Sequence, residues 1–424
     1  GGPAVRHGRH SRRHRHHRQG GPGGPPQGQR GPRDPRQAPI PTEGPTAPVQ
    51  GVVELAEGAG GYVRQVAQNY LPQRDDVVVP YVIARDSGLR DGTEIEGLAR
   101  DGGNGRRVLV EVTKAGGMEP EKYKALPHFQ DLVSINPSEA FELSGEGSEI
   151  SLRVIDIIAP VGKGQRGLIV SPPKAGKTTL LEHLGKAIVQ RHPDVPLILL
   201  LVDGRPEEVT HFRRVVPAEV LASTSDSSSD SHIRLSRLAI ERAKRLVEAG
   251  RHVVILLDSL TRLGRASNRE MGPGGRTMSG GVDNRALQFP RQFFGAARNC
   301  EGSGSLTILA TALIETGSRM DEVIFQEFKG TGNMELILDR AIADRRIFPA
   351  VDVLKSGTRR EELLVPPEEL SKRHLLRRAL ADLSPVEAAQ FLIEKLQKTP
   401  SNAVFLGNLV APSSMASAAS RRFR

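Results

Sequence analysis

The sequence has very few of the residues that build disulfides and aromatic stacking surfaces. Its 424 residues include one cysteine, Cys300, no tryptophan and an aromatic content of only 4%. A single cysteine excludes an internal disulfide. Because aromatic side chains are so scarce, any surface that stacks on nucleobases must rest on a small number of Phe and Tyr residues.

Apolar runs long enough to cross a membrane are also missing. No stretch stays apolar over the roughly 20 residues that a membrane-spanning helix needs. The start of the chain does not have the pattern of a signal peptide. Together with the lack of disulfides, this predicts a cytoplasmic protein that has no membrane partner.

Positive charge is plentiful but unevenly distributed. The chain carries a net charge of +10, and residues 1–50 hold nine arginines against two acidic residues, a net +7. This segment is rich in Gly, Pro, Gln and His and has almost no large apolar residue, so it cannot bury enough surface to fold. We expect a disordered basic arm that either contacts nucleic-acid phosphates or serves as a solvated linker.

Two different apolar patterns follow the arm. In residues 51–115, short apolar runs alternate with turns rich in Gly and Asp, which predicts a small β-barrel. Its size is that of an OB-fold or cold-shock-like domain, although a purely structural β-domain has the same pattern. After a connector over residues 116–150, apolar strands alternate with amphipathic helices in residues 151–400, which predicts an α/β fold with a parallel sheet. Residues 401–424 are expected to form a flexible tail.

Several elements of the α/β region can be placed individually. Predicted strands are 167–170, 196–203, 252–258 and 305–313, and predicted helices are 178–190, 207–215, 231–249 and 284–299. The helix over 231–249 combines an apolar stripe with a basic face. Leucines at helical intervals after residue 370 predict a small helical cap.

The segment from residue 167 to 181 carries the strongest chemical signal. An apolar strand runs into the loop SPPKAGKT (171–178) and directly on into a helix. Such a loop needs Gly176 so that backbone N–H groups can close around phosphates, Lys177 to reach the β- and γ-phosphates, and Thr178 to hold Mg²⁺. Ser171 occupies the position where this pattern usually opens with glycine. Ordinary strand–turn–helix connections also contain Gly-Lys-Thr by chance, but this context favours a nucleotide site.

A second element of the same site is the strand that ends in Asp258. In ATPases with a phosphate-binding loop, an apolar strand ending in a carboxylate directs the metal ion. Such strands are common in α/β proteins, so Asp258 gains weight only from its pairing with Lys177 and Thr178.

Six motifs resemble the family of bacterial Rho transcription termination factors. They are 164–178 (GQRGLIVSPPKAGKT), 203–210 (DGRPEEVT), 257–266 (LDSLTRLGRA), 293–299 (FFGAARN), 327–335 (EFKGTGNME) and 356–364 (SGTRREELL). The resemblance extends from residue 52 to about residue 396. It implies a homohexameric ring with a RecA-like ATPase motor, which binds single-stranded RNA and acts on the RNA polymerase elongation complex.

The resemblance also assigns roles to individual residues. ATP would contact the loop residues Lys174, Ala175, Gly176, Lys177, Thr178 and Thr179, with Asp258 beside the Mg²⁺. Phe348 would stack on adenine, and Arg359 would be an arginine finger reaching the nucleotide of a neighbouring subunit. Arg205 and Arg340 would be further interface or sensor groups. Positive charge placed in trans makes hydrolysis depend on ring closure.

RNA contacts are implied at three places. In the barrel they are Tyr62 and Arg64. In the pore they are Arg276, Thr277 and Ser279 of the Gly-rich segment 271–281, and Lys329, Gly330 and Thr331 of a second loop.

The chain departs from the family pattern at two places. The family has Asp-Glu-Arg-Pro where this sequence has Asp203-Gly-Arg-Pro, so Gly204 replaces the glutamate expected to polarise the attacking water. A lost general base typically costs about 10²–10⁴-fold in rate, which predicts slow hydrolysis. In the barrel, the family's first aromatic residue is missing before Tyr62, and Val78 replaces a tyrosine.

These departures leave three functions open. The first is an RNA-stimulated ring ATPase that translocates 5′→3′ and ends transcription. The second is a rotary or secretion-type ATPase, which shares the motor fold but lacks an oligonucleotide-binding barrel before it. The third is an RNA-binding ring in which nucleotide acts only as a conformational ligand.

The basic arm generates a test at this stage. If the arm compensates for the missing aromatics by attracting phosphates, RNA affinity falls steeply between low and moderate salt, and deletion of residues 1–50 makes that slope shallower. Filter binding across a salt series measures both effects. An affinity that barely changes with salt, or is unaffected by the deletion, contradicts the idea.

Overall fold

The computed structural model describes residues 39–103, 105–271 and 279–409. Most of the predicted basic arm and the last part of the predicted tail lie outside these residues. No helix of the described residues is long and apolar enough to span a membrane.

The first folded part is a closed five-stranded barrel, which confirms the predicted β-barrel. Its strands are β1 (Thr46–Leu55), β2 (Gly61–Arg64), β3 (Val77–Val79), β4 (Glu94–Asp101) and β5 (Arg107–Ala115), arranged in the order β1-β2-β3-β5-β4. Helix α1 (Tyr81–Asp86) separates β3 from β4. Val53, Val63, Val79 and Leu109 point into the interior and are buried, as the alternation of a half-buried strand requires. The barrel begins at Thr46, inside the segment predicted as arm, so residues 46–50 pair with β4 and the deletion that tests the arm has to end at residue 45.

A short connector joins the barrel to the second part of the chain. It contains helix α2 (Pro120–Lys124) and the two-residue strand β6 (Ser134–Ile135). Strand β6 pairs with the edge of the large sheet, so the connector is tied to that sheet by backbone hydrogen bonds.

The second part is an α/β domain, as predicted. Its strands are β7 (Arg166–Ser171), β8 (Leu197–Gly204), β9 (Glu219–Thr224), β10 (His252–Asp258), β11 (Arg298–Cys300), β12 (Ser305–Leu313), β13 (Met334–Ile337) and β14 (Gly357–Thr358). With β6 they form a nine-stranded sheet with the order β14-β13-β7-β12-β10-β8-β9, in which β11 pairs with β12 and β6 with β11. The strands from β9 to β13 along this order are parallel. We call this domain the α/β domain.

Helices cover both faces of the sheet. They are α3 (Ile150–Ile158), α4 (Lys177–Arg191), α5 (Pro206–Val215), α6 (Ser229–Glu248), α7 (Leu260–Glu270), α8 (Gln288–Gly295), α9 (Arg319–Phe328) and α10 (Arg340–Asp344). The continuous apolar run of β10 is buried on both faces, with Val254 on one face and Leu257 on the other both 0% exposed. This burial explains why strands of a covered parallel sheet lack an alternating pattern.

One predicted helix was too long. The segment 284–299 was expected to be helical throughout, but α8 covers only Gln288–Gly295, and Arg298 and Asn299 belong to strand β11. Strand β11 is held by antiparallel pairing with β12 on one side and β6 on the other. Strand β12 follows after a short turn, but β6 is distant in sequence, so the local apolar period could not reveal this pairing.

The helical cap is confirmed and reaches beyond its predicted end. It consists of α11 (Pro367–Leu380), α12 (Pro385–Gln397) and α13 (Asn402–Gly407). Helix α13 lies in the segment predicted as tail, yet Phe405 and Leu406 are buried in the same core as α3, α4 and one face of the sheet. Burial of these side chains provides the apolar free energy that orders this last helix.

Ion pairs from α6 hold the barrel on the α/β domain. Arg234 contacts Glu54 of β1 at 2.6 Å, and Arg242 contacts Glu94 of β4 at 3.1 Å. At the end of α6, Glu248 pairs with Arg90 at 3.2 Å and accepts a hydrogen bond from the backbone N–H of Phe129 at 2.7 Å. The basic face predicted on this helix is therefore a docking surface for the barrel and connector.

The carboxylate of Glu248 generates a stability prediction. Its side chain is fully buried between Arg90 and Arg245, and removal of one partner from a buried ion pair leaves the other charges uncompensated. We expect Glu248→Ala to lower the free energy of unfolding by about 3 kcal/mol. Urea unfolding measures the change, with Glu301→Ala as the control because Glu301 is exposed. Equal stability of the two variants contradicts the prediction.

Candidate nucleotide and RNA sites

The phosphate-binding loop lies where β7 meets α4. Helix α4 begins at Lys177, and Gly176 precedes it with φ +87°, in the left-handed region that favours glycine. A Cβ atom at this position would also lie 3.4 Å from the ring of Phe348. The loop therefore turns tightly enough for the N-terminal N–H groups of α4 to face an anion.

Lys177 and Asp258 meet at the carboxyl edge of the sheet. The Nζ atom of Lys177 donates a short hydrogen bond to Oδ2 of Asp258. The other oxygen, Oδ1, accepts a hydrogen bond of 2.8 Å from the Thr311 hydroxyl at the end of β12. The structure thus brings together the two residues that the sequence placed in one site, although they are 81 positions apart.

The charge of Asp258 is stabilised despite its burial. Burial by itself would raise the pKa of this carboxyl group, but the charge of Lys177 and the hydrogen bonds from Lys177 and Thr311 outweigh it, and the pKa is lowered. Asp258 is therefore ionised at neutral pH and is ready to orient a cation.

The residues present fit a bound Mg²⁺. Thr178, in the first turn of α4, and Asp258 offer oxygen ligands, which this ion prefers. In the described part of the chain, no group of three or more His, Cys, Asp or Glu side chains could hold a metal by itself. This is consistent with an ion that takes its other ligands from nucleotide phosphates and water.

An apolar cavity of about 550 Å³ lies beside the loop. Phe348, 46% exposed, forms one wall, and Ala175, Gly176 and Thr179 form another. A hydrogen bond of 2.7 Å joins Ser151 to His183 at its rim. The cavity is large enough for a nucleobase to lie against the Phe348 ring. Sequence reasoning missed Ser151, His183 and Thr311, since no local pattern marks them.

Arg359 lies at the far end of the sheet from the loop. Its backbone N–H donates to the Asn333 carbonyl at 2.8 Å, beside the start of β13, whereas the phosphate-binding loop follows the end of β7, which runs parallel to β13. The Arg359 side chain is exposed and donates to the Gly330 carbonyl at 3.3 Å. The structure thus groups Arg359 with Lys329, Gly330 and Thr331.

The other residues predicted to contact nucleotide follow the ends of strands at the carboxyl edge of the sheet. Arg205 is exposed and precedes α5, directly after β8. Lys174 is exposed with φ +64°, and Arg340 starts α10 with its side chain 55% exposed.

In the barrel, the predicted RNA residues Tyr62 and Arg64 are neighbours. The Arg64 guanidinium lies 4.8 Å from the centre of the Tyr62 ring. Arg64 is buried and pairs with Glu54 at 2.6 Å and also with Asp76. Tyr62 lies opposite Val78 on the paired strand. Arg64 therefore holds one face of Tyr62, and its charge is already compensated within the barrel.

The first predicted pore loop lies mostly outside the described residues. Arg276 and Thr277 fall in this gap, and only the backbone of Ser279 is described. Their predicted roles remain predictions.

Comparison with known proteins identifies both parts of the chain. Residues 49–127 match the Rho termination factor, RNA-binding domain, and residues 151–358 match the ATP synthase alpha/beta family, nucleotide-binding domain. The transcription termination factor Rho of Aquifex aeolicus (strain VF5) is 50% identical over 364 residues, which cover 84% of each chain. That of Streptosporangium roseum is 51% identical over 84% of this chain and 91% of its own.

Solved structures show the motor fold. The ATPase of a type III secretion system of pathogenic bacteria superposes with a TM-score of 0.53 at 22% identity, over 65% of this chain and 81% of its own. At this level of identity, the likeness concerns the fold alone.

The cavity beside the loop generates a prediction. Because a stacked base contributes about 1–3 kcal/mol, Phe348→Ala is expected to weaken ATP binding by roughly tenfold. Equilibrium binding of a fluorescent ATP analogue measures the change. The control is Phe391→Ala, which removes a half-buried aromatic ring from α12. Unchanged ATP affinity in Phe348→Ala contradicts the prediction that the adenine base stacks on Phe348.

Proposed function

The chain belongs to the transcription termination factor Rho family, and we propose on this premise that it ends transcription as an RNA-dependent, ATP-driven translocase. The observation that carries the proposal is the contact between Lys177 and Asp258 at the carboxyl edge of the parallel sheet. The same chain carries a barrel that matches an RNA-binding domain. Nucleotide hydrolysis and RNA binding are thus joined in one molecule.

The proposed reaction is the hydrolysis of ATP at the edge of the sheet. Phe348 binds the adenine, the N–H groups at the start of α4 bind the phosphates, and Lys177 moves from Asp258 to the β- and γ-phosphates. Thr178 and Asp258 would hold a Mg²⁺ ion, which would supply positive charge beside the phosphates. Asp258 is only 3% exposed, and its burial strengthens the electrostatic interactions between the phosphates and the groups that bind them.

We further propose that the active form is a homohexameric ring. Arg359 lies at the opposite end of the sheet from the loop of its own chain, and its side chain is exposed. This placement supports a role at the nucleotide of the next subunit, where it stabilises charge in the transition state. Hydrolysis would then depend on closure of the ring around RNA.

RNA is proposed to bind first at the barrel and then at the pore. Tyr62 offers a ring for stacking, with Arg64 fixed beneath it. The barrel is attached to α6, and α6 packs on the same strands that end at the nucleotide site. Pulling on the RNA would release the nascent transcript from RNA polymerase.

The two alternative functions are less well supported. A rotary or secretion-type ATPase shares the motor fold, but a Rho-type RNA-binding domain precedes this motor. A ring that binds nucleotide without hydrolysis rests on Gly204 alone, and membership of an ATP-hydrolysing family does not favour it.

The test is ATP hydrolysis with and without single-stranded, cytidine-rich RNA. We expect RNA to stimulate turnover. We expect Lys177→Ala to abolish turnover, because Lys177 is the loop lysine that is proposed to reach the β- and γ-phosphates. Tyr62→Ala should raise the RNA concentration for half-maximal stimulation by about tenfold, the loss of one stacked base.

Matched controls are available on the same elements. Lys186→Ala changes a lysine of α4 that pairs with Glu182 at 2.5 Å, and Tyr81→Ala removes a 38% exposed tyrosine of the barrel domain. Both should behave like the unmodified chain. Turnover that is equal with and without RNA would instead favour the rotary or secretion-type function.

A further inference from the structure

The position expected to polarise water has no side chain but has room for one. Gly204 is the last residue of β8 and is buried. A Cβ atom there would meet only Leu201 at 3.6 Å and Val209 at 3.8 Å, which are ordinary contacts. The glycine is therefore not required by crowding.

The preceding residue, Asp203, is displaced from the regular strand. In the pairing of β8 with β9, Val202 is opposite Ser223 and Gly204 is opposite Thr224, so Asp203 is an extra residue in a bulge. Its φ is +54°, in the left-handed region. Bulges next to active sites re-aim a side chain, and the conformation of Asp203 is uncommon for a residue with a Cβ atom.

The bulge lies at the same edge as the proposed metal ligand. Leu201 of β8 is in register with Asp258 of β10, and the two strands are neighbours, about 4.8 Å apart. Arg262, at the start of α7, donates to the Asp203 carbonyl at 2.9 Å. Asp203 is 20% exposed at its side chain and therefore accessible to water.

His232 faces the Asp203 carboxylate from α6. Its Nδ1 atom shares a hydrogen bond of 2.7 Å with Ser223, and its Nε2 atom is 3.9 Å from Oδ1 of Asp203. Nε2 is buried and has no hydrogen-bond partner among the described residues. Burial lowers the pKa of His232, which keeps the ring neutral. Arg269, on the other side, approaches Oδ2 at 3.8 Å.

We propose that Asp203 polarises the attacking water in this chain, in place of the glutamate that is missing at Gly204, and that His232 is its positioning residue. This inference rests on the proposed function and deepens it. Glu207 and Glu208 are less suitable because they lie on the first turn of α5, beyond the bulge, with Glu207 exposed.

The chemical step is balanced without a further reactant. The water oxygen forms a bond to the γ-phosphorus while the bond from that phosphorus to the β–γ bridging oxygen breaks. The electron pair of the broken bond remains on ADP. The proton lost by the water passes to the Asp203 carboxylate and from there to the phosphate product.

The central experiment compares Asp203→Asn in two backgrounds. In the unmodified chain we expect RNA-stimulated kcat to fall by about 10²–10³-fold with ATP affinity unchanged, because the amide cannot accept the proton. In a Gly204→Glu background the same change should cost less than about tenfold, since the new carboxylate takes over the role. Glu207→Gln is the matched control and should retain full activity.

A second readout does not depend on turnover. ADP with aluminium fluoride mimics the transition state, in which the in-line water is bound to the aluminium, whereas ADP with beryllium fluoride mimics the ground state, in which the water is not bound to the analogue. We expect Asp203→Asn to weaken the aluminium fluoride complex by at least about tenfold and to leave the beryllium fluoride complex unchanged. Equal retention of both complexes, or a kcat within about threefold of the parent, overturns the proposal.

These readouts separate the inference from the proposed function. If the parent chain shows no RNA-stimulated turnover, the proposed function fails, while the two fluoride complexes still decide the role of Asp203.

The role of His232 has its own test. His232→Gln retains an N–H group directed at Asp203, and His232→Leu removes it. We expect kcat to fall by about tenfold in the Leu variant and to recover in the Gln variant, with ATP affinity constant in both. A loss of ATP affinity, or equal losses of kcat in both variants, assigns His232 to packing alone and removes it from the proposal.

Discussion

Parallel pairing of β8, β10 and β12 is the constraint on which the rest of the site depends. Because parallel strands end at the same edge, Asp258, Thr311 and the Asp203 bulge are brought together although they come from separate parts of the chain. The strands themselves are buried and apolar, so polar groups can appear only where they end. The edge therefore collects carboxylates, hydroxyls and arginines in surroundings where charges interact strongly.

The arginines of this chain serve two distinct purposes. Arg234 and Arg242 of α6 pair with carboxylates of the barrel, at 2.6 and 3.1 Å. Arg205 and Arg359 remain exposed, at opposite ends of the motor sheet. Buried pairs fix the position of the barrel, whereas exposed guanidinium groups remain available for phosphate. A net positive charge alone cannot distinguish these two uses.

Gly204 departs from the family pattern, but a carboxylate lies directly beside it in the chain. The sequence presented this departure as the loss of a catalytic group, because glycine replaces the glutamate that is expected to polarise the attacking water. The bulge at Asp203 breaks that alternation and gives a neighbouring carboxylate a new direction. The missing glutamate at position 204 is thus compatible with the proposed role of the neighbouring Asp203 carboxylate.

The sequence by itself determined the barrel, the parallel α/β motor, the phosphate-binding loop and the pairing of Lys177 with Asp258. These features depend on local periodicity and on residue types that one chemistry requires at fixed spacing. Tertiary structure alone decided that α8 ends early, that α13 belongs to the core, that Arg64 is buried and ion-paired, and that Asp203 lies in a bulge. Each of these depends on contacts between separate elements, and such contacts leave no periodic trace in the sequence.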